Sequence, residues 1–209
     1  MTETAPRSVR RVGVFPARAC LLAAMLLVAA ATPALGQNAA KRADACFACH
    51  GKAGQSQTPE TPSLGGQPAF FVVAQLFLFR EGRRANAPMT AAAKGLSDDD
   101  LRAFAELIGK LPPPAPPAQA GDRARAARGR ALALERHCAA CHNSDFSGRE
   151  QMPRLANQRE DYLLKAMRDY RSGARVGYGN AAMPEAMAGL GDADLRDLAH
   201  YLAHLSAGK

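Results

Sequence analysis

The pattern Cys-x-x-Cys-His occurs twice in this 209-residue chain, at 46–50 and at 138–142. Two thiols three positions apart can each form a thioether bond to one vinyl group of the same porphyrin, and the histidine that follows lies beneath the iron. One copy alone would also suit a zinc knuckle or arise by chance. Two copies, 92 residues apart in a chain with an export signal, predict two covalently bound haems c. The predicted attachment residues are Cys46, Cys49, Cys138 and Cys141, and the predicted proximal iron ligands are His50 and His142.

The first 36 residues have the pattern of a secretory signal peptide. A basic start is followed by the apolar run 21–31 and by small residues at 34–36, which predicts cleavage before Gln37. The run is shorter than the about 20 residues that a membrane-spanning helix needs; an uncleaved anchor is the alternative. Because Cys20 leaves with the signal, the two haems use every remaining cysteine. We expect the mature protein in the periplasm.

The basic charge of the chain does not indicate a nucleic-acid partner. The formal net charge is +8, with 27 basic and 19 acidic residues. Removing the signal takes away four arginines and one glutamate, which leaves 23 basic and 18 acidic residues and a net charge of +5. No nucleic-acid-binding motif accompanies this charge, and the chain is expected to leave the cytoplasm. Nucleic acid is therefore excluded as a partner.

The mature chain is an internal duplication. Pro-Ser-Leu-Gly-Gly-Gln at 62–67 returns as Pro-Arg-Leu-Ala-Asn-Gln at 153–158, an offset of 91 residues. A helix follows in each copy, at 68–81 and 159–172, and Gly82 and Gly173 end these helices. At a later offset of 94, apolar residues recur at i, i+3, i+4 and i+7, which predicts one apolar helical face in each copy. These residues are Leu101, Phe104, Ala105, Ile108 and Leu111, matched by Leu195, Leu198, Ala199, Leu202 and Leu205.

The duplication predicts an all-α protein of two tandem domains, since no run alternates with the period of a β-strand. The expected divisions are the signal peptide at 1–36, the first domain at 37–111, a Pro-rich linker at 112–122 and the second domain at 123–209. The proline run favours a stiff polyproline II spacer. Domains this small have marginal cores, and a covalently held porphyrin would supply the missing apolar centre.

The sixth iron ligand decides between a closed and an open haem. Met89 and Met183 occupy matching places in the two copies, in segments predicted as loops before the last helix. A methionine ligand gives a closed iron and raises its reduction potential. The alternative is that both are core residues, since methionine fills gaps well. Met187 is the rival in the second copy, but it matches Ala93 in the first.

The two copies differ in their opening helices and in their middle helices. The first copy has only a short stretch before its haem motif, which predicts a short opening helix. Its middle helix carries Phe70, Ala74, Phe77 and Leu78 where the second has Asp161, Lys165, Arg168 and Asp169. We expect this extra apolar stripe to pack against the other domain or a partner subunit.

His200 and His204, one helical turn apart, are expected to be solvent-exposed rather than a metal site.

The residues above resemble the di-haem cytochrome c4 family, which consists of tandem class I cytochrome c domains. The resemblance covers about residues 42–207 and includes both haem motifs, the Pro-x-Leu-x-x-Gln loops, the Arg-x-Gly turns and Met89. It implies two His/Met haems that pass single electrons, typically from a membrane-bound quinol-oxidising complex to a terminal oxidase.

The leading hypothesis from the sequence is therefore an electron carrier and not an enzyme, with redox proteins as partners. Peripheral association with the membrane is compatible with this role. The second hypothesis is a dedicated cytochrome subunit of a periplasmic flavoprotein or other dehydrogenase. The third is an open-haem enzyme, which would require one iron without methionine.

Overall fold

The computed structural model describes residues 33–177 and 182–205, together with Met1. The signal peptide predicted at 1–36 falls almost wholly outside these residues, so the cleavage site stays a prediction. Within the described ranges, no helix is both long and apolar enough to cross a membrane.

The described chain folds into α-helices that fall into two similar sets. The first set is α1 (Pro33–His50), α2 (Ala69–Arg80), α3 (Ala87–Ala93) and α4 (Asp98–Lys110). The second set is α5 (Arg123–Glu135), α6 (Cys138–His142), α7 (Glu160–Ser172), α8 (Ala182–Met187) and α9 (Asp192–Ala203). No strand forms in the ranges that the structure describes, which confirms the predicted all-α class.

Side chains at the helix starts explain where the helices begin. Ser97 and Asp100 form a capping box at the start of α4, each bonding the other's backbone amide. The Asp122 carboxylate accepts two amides of the first turn of α5, at 2.8 and 3.0 Å. Gly82 and Gly173 follow α2 and α7 with φ of 65° and 77°, a conformation that favours glycine.

The predicted apolar faces of the last helices are buried. Leu101, Phe104, Ala105 and Ile108 in α4, and Leu195, Leu198, Ala199 and Leu202 in α9, are all part of the core. In the second half α9 crosses α5 at Gly129, where a Cβ would lie 2.1 Å from the Asp197 carbonyl oxygen. Glycine is therefore required at this crossing, because any side chain would push the two helices apart.

The opening helix of the first half is continuous with its haem motif. α1 has 18 residues and runs without a break into its Cys-x-x-Cys-His segment, whereas α5 has 13. In the second half His137, with φ of 52°, separates α5 from α6. Four residues of α1 precede the predicted cleavage site and five belong to the haem motif, which leaves residues 37–45 as the opening part of the helix. The expectation of a short first helix in the mature protein therefore stays a prediction that depends on the cleavage site.

The two candidate methionine ligands lie in short helices rather than in loops. Met89 is in α3, whose N-cap residue Asn86 accepts the Met89 amide at 3.0 Å. Met183 is in α8. Both prolines near these methionines, Pro88 and Pro184, lie inside helices at positions where a helix tolerates them because the first amides have no intrahelical acceptor.

Asp192 ties α7 to α9 and gives the fold a testable pH dependence. It accepts hydrogen bonds from Arg168 at 2.5 and 2.8 Å and from Arg171 at 3.4 Å, and it also pairs with Arg196. The Arg168 hydrogen bonds, helped by the charges of Arg168, Arg196 and Arg171, outweigh burial and lower the pKa of Asp192 to about 2. A carboxyl group whose folded-state pKa is depressed stabilises the protein above its unfolded value of about 4. That stabilisation disappears as the pH falls through the folded-state pKa.

We therefore expect Asp192→Asn to lower the free energy of unfolding at pH 7 and to lose this effect progressively between about pH 4 and pH 2. Urea unfolding of variant and wild type across this range measures the difference. Asp44→Asn, at an exposed carboxylate on α1, is the control for net charge. An Asp192→Asn effect that stays constant down to pH 2 would contradict the assignment.

Candidate haem sites and the contact between the two halves

Each Cys-x-x-Cys-His segment is helical, so its two cysteines lie on one face of the chain. In the first half the segment forms the last turn of α1, and in the second it forms α6. The first cysteine of each pair, Cys46 or Cys138, is half-buried, and the second, Cys49 or Cys141, is exposed. Helical spacing therefore presents both thiols of a pair to one flat group beside the chain, as two thioether bonds require.

The histidines that end these segments are held in the same way. His50 Nδ1 lies 2.8 Å from the carbonyl oxygen of Pro62, and His142 Nδ1 lies 2.8 Å from that of Pro153. Burial lowers the pKa of both imidazoles, and the carbonyl hydrogen bond opposes this in part. A neutral ring that donates from Nδ1 keeps the Nε2 lone pair for a metal, and the carbonyl fixes the ring's orientation.

The structure separates the two candidate methionines of the second half. Met187 is 2% exposed and is part of the main apolar core together with Leu195 and Leu198. Met183 is partly buried and packs against the edge of that core. Its counterpart Met89 is also partly buried. Met187 thus has a packing role that accounts for it, whereas Met89 and Met183 retain matching, accessible places.

Two arginines at the same position of the repeat converge where the halves meet. Arg84 donates to Gln75 Oε1 at 2.6 Å and to the Tyr162 hydroxyl at 3.2 Å, and Arg175 donates to the same Gln75 oxygen at 3.1 Å. Arg175 is buried, and its Nε has no hydrogen-bond partner. Among the described residues, no carboxylate pairs with either guanidinium.

This arginine pair concentrates positive charge around Tyr162. Burial alone raises the pKa of the Tyr162 phenol, but the charges and hydrogen bonds of Arg84 and Arg175 outweigh burial and bring the pKa down to about 8. Two like charges away from water are costly unless an anion accompanies them. The residues present therefore fit a carboxylate-bearing group such as haem, whose two propionates would supply that charge.

Two glutamines join the halves by reciprocal hydrogen bonds. The Gln158 side chain pairs with the backbone of Ser63 in the first half, and the Gln67 side chain pairs with the backbone of Arg154 in the second. Gln67 and Gln158 end the repeated Pro-x-Leu-x-x-Gln loops. The repeat of these loops indicated that the two glutamines correspond, but not that each binds the other half. Arg84 and Arg175 are related by the same offset of 91, which the sequence analysis did not identify.

His200 and His204 are not solvent-exposed, and that expectation is wrong. His200 is 5% exposed, and its Nδ1 lies 2.8 Å from Glu160 Oε2, while Arg125 donates to the other Glu160 oxygen at 2.8 Å. His200 Nε2 faces Gly121, where a Cβ would lie 2.7 Å away. The Glu160 carboxylate, shared between His200 and Arg125, therefore links α5, α7 and α9. The ligand atoms of Glu160, His200 and His204 lie within 4.8 Å of one another, so the expectation that the pair is not a metal site stays a prediction.

The apolar stripe of α2 divides between the core and an open groove. Ala74 and Leu78 are buried in their own half, whereas Phe70 is 53% exposed. Phe70 and Phe77 border a groove of about 200 Å³. The groove is lined by Phe70, Val73, Ala74, Phe77, Asp98, Leu101 and Arg102. All of these belong to the first half, so this part of the stripe does not face the second half.

Comparison with known proteins identifies relatives over most of the chain. A family model described as cytochrome c matches residues 126–206. Cytochrome c4 of Thiocapsa roseopersicina is 34% identical over 187 residues, which cover 85% of this chain and 97% of that protein. A thiosulfate dehydrogenase electron acceptor of Thiomonas intermedia (strain K12) is 32% identical over 83% of this chain and 84% of its own length.

Solved structures of similar fold include the same kinds of protein. Reduced recombinant cytochrome c4 from Pseudomonas stutzeri superposes with a TM-score of 0.73 at 27% identity, covering 82% of this chain and 98% of that one. Thiosulfate dehydrogenase from Marichromatium purpuratum gives a TM-score of 0.68 at 29% identity, over 81% of this chain and 39% of the other. Matches that cover 82% and 81% of this chain extend over both of its halves.

Proposed function

The chain belongs to the cytochrome c4 family and binds two haems c covalently, and on this basis we propose that it works in the periplasm, passing single electrons from a membrane-bound quinol-oxidising complex to a terminal oxidase. The observation that supports this most is the equivalence of the two haem sites. Both halves bury a histidine whose Nδ1 bonds a proline carbonyl oxygen at 2.8 Å. Two rigid, equivalent sites suit electron transfer, which requires little change in ligation.

We propose the following haem contacts for the chain. Cys46 and Cys49 hold the first haem and Cys138 and Cys141 the second, while the iron ligands are His50 with Met89 and His142 with Met183. Each bound haem supplies a one-electron couple between ferrous and ferric iron. The protein's own residues orient the imidazoles, exclude water and place positive charge near the carboxylates. With both irons closed by methionine, the protein is a carrier rather than an enzyme.

Electron exchange with membranes tests this role. The reduced protein, mixed with membranes that contain a terminal oxidase, is expected to be oxidised at both haems, and quinol with the same membranes is expected to reduce it. Inhibitors of the quinol-oxidising complex should block only the reduction. Failure of both exchanges, with rapid reduction by a purified dehydrogenase, would overturn the respiratory role.

The groove on α2 favours a second candidate, a cytochrome dedicated to one dehydrogenase. Relatives include proteins named as electron acceptors of thiosulfate dehydrogenase. Phe70 is largely exposed at the groove, and the equivalent surface of the second half is charged, with Arg168 in the place of Phe77. An apolar groove on the first half whose counterpart on the second half is charged suits a partner that binds the first half.

Phe77→Arg tests this candidate directly. The variant copies the second half, where Arg168 pairs with Asp192, and Asp98 lies at the matching place beside Phe77. We expect unchanged stability, and a decrease of about tenfold in the second-order rate of reduction by thiosulfate dehydrogenase, equivalent to about 1.4 kcal/mol. Leu134→Arg, at an apolar residue 63% exposed on α5, is the matched control. Equal rates for wild type and both variants would exclude the groove as the docking surface.

A further inference from the structure

The peptide group that holds each buried histidine also makes a hydrogen bond to the other half. The Pro62 carbonyl accepts from His50, and the amide of the same peptide, on Ser63, donates to Gln158 Oε1 at 2.8 Å. In the second half the Pro153 carbonyl accepts from His142. We propose that Gln67 and Gln158 are positioning residues that tune the haem of the opposite half through this peptide group.

The geometry of the glutamine contacts is reciprocal. Gln158 Nε2 donates to the Ser63 carbonyl at 2.8 Å, so one side chain pairs with both backbone groups of Ser63. Gln67 pairs likewise with Arg154, accepting from its amide and donating to its carbonyl, both at 3.0 Å. We call Gln67 and Gln158, with these four hydrogen bonds, the amide clamp.

The hydrogen bonds of the amide clamp are strengthened by burial. Gln67 is 5% exposed, Gln158 3% and Ser63 4%. Hydrogen bonds in a water-excluded setting are electrostatically stronger than in water, and bonds in a chain polarise one another. An unpaired amide at this depth would be costly. Each glutamine is therefore fixed on its peptide group rather than exchanging with solvent.

Polarisation links the clamp to the histidines. A hydrogen bond from a peptide N–H shifts electron density toward the carbonyl oxygen of the same peptide, which makes that oxygen a better acceptor. A better acceptor for the imidazole Nδ1–H increases the basicity of the metal-binding nitrogen. A more basic ligand favours the ferric state, so each clamp bond lowers the potential of the haem in the opposite half.

The inference rests on His50 and His142 as the proposed iron ligands, and it predicts a crossed effect. Gln158→Met removes both hydrogen bonds to Ser63 with little change in volume. At a fixed applied potential we expect the ratio of reduced to oxidised first haem to rise about threefold to tenfold. Loss of a group that bonds a metal ligand directly typically changes affinity or activity about 10-fold to 100-fold, and the glutamine acts one bond further away. The second haem should be unchanged. Gln67→Met should raise the same ratio at the second haem and leave the first haem unchanged.

Two measurements on the intact haem-bound protein are needed. Spectroelectrochemistry, with each haem identified by its paramagnetically shifted proton signals, gives the two reduced fractions. Amide hydrogen exchange gives a readout independent of redox state: Gln158→Met should accelerate exchange at Ser63, and Gln67→Met at Arg154. Gln55→Met is the control, since Gln55 bonds the Pro112 carbonyl at 2.9 Å and touches neither histidine peptide.

Distinct outcomes decide the inference. The proposal is supported if each variant changes the reduced fraction of the haem in the opposite half and accelerates amide exchange at the residue its glutamine binds. Faster exchange with unchanged potentials would reduce the clamp to a docking contact, and a shift at the glutamine's own haem, or of both haems together, would overturn it. If Gln158→Met fails to fold, Gln158→Glu keeps the acceptor oxygen and should preserve slow exchange at Ser63. A wild-type spectrum without histidine-ligated iron would instead refute the ligand set proposed above.

Discussion

Replacing Met183 with alanine should abolish the far-red thioether-to-iron band of one haem, whereas Met187→Ala should leave the bands of both haems intact. Met183 is partly buried at a place that matches Met89 in the repeat, while Met187 is 2% exposed in the core. The first change removes an iron ligand and opens that haem to cyanide. The second creates a cavity, and truncating a buried methionine to alanine costs about 2–5 kcal/mol.

The comparison has a built-in control in Met167→Ala. Met167 is 6% exposed on α7 and belongs to the same core as Met187. It should lose stability in urea unfolding and keep both bands. If Met187→Ala instead lost a band and bound cyanide while Met183→Ala did not, the repeat would have misled the ligand assignment in the second half.

Replacing both Cys138 and Cys141 with alanine should remove one covalent haem and unfold the second half. Cys138 of α6 packs against the core to which α5, α7 and α9 contribute, and a domain of this size has too small a core to be stable without its central group. The Cys46→Ala, Cys49→Ala double variant should do the same to the first half. Mass spectrometry of the intact chain counts the attached haems, and circular dichroism measures the helix lost.

Single cysteine variants provide the control for this loss. Cys141→Ser leaves Cys138 to form one thioether bond, so we expect one haem on each half and a less stable second half. Two haems on the double variant, or an unchanged helix content after the loss of one haem, would show that the cysteines or the haem do not have the structural role assigned to them.

Local patterns predicted the helices and the core, because periodicity and glycine positions act over a few residues. The recurrence of apolar residues identified the buried faces of α4 and α9, including Leu101 and Leu195. The same reasoning failed for His200, whose burial depends on Glu160 from a helix 40 residues earlier in the chain.

The contacts between the halves could not be predicted from the sequence, for a different reason. Gln67 and Gln158 recur at an offset of 91, but the sequence does not show that each crosses to the other half. Likewise, Arg84 and Arg175 recur at the same offset, but nothing in the sequence predicts that both contact Gln75. A repeat identifies which residues correspond, and only the packing of one copy on the other shows which residues meet.

The ferric optical spectrum of the purified protein tests the central claim most directly, by quantifying the far-red thioether-to-iron band per haem. Two closed sites predict two equivalents of this band, with no change on adding cyanide or peroxide at modest concentration. One equivalent or none, with ready binding of cyanide, would show an open iron and contradict the assignment of this protein as an electron carrier.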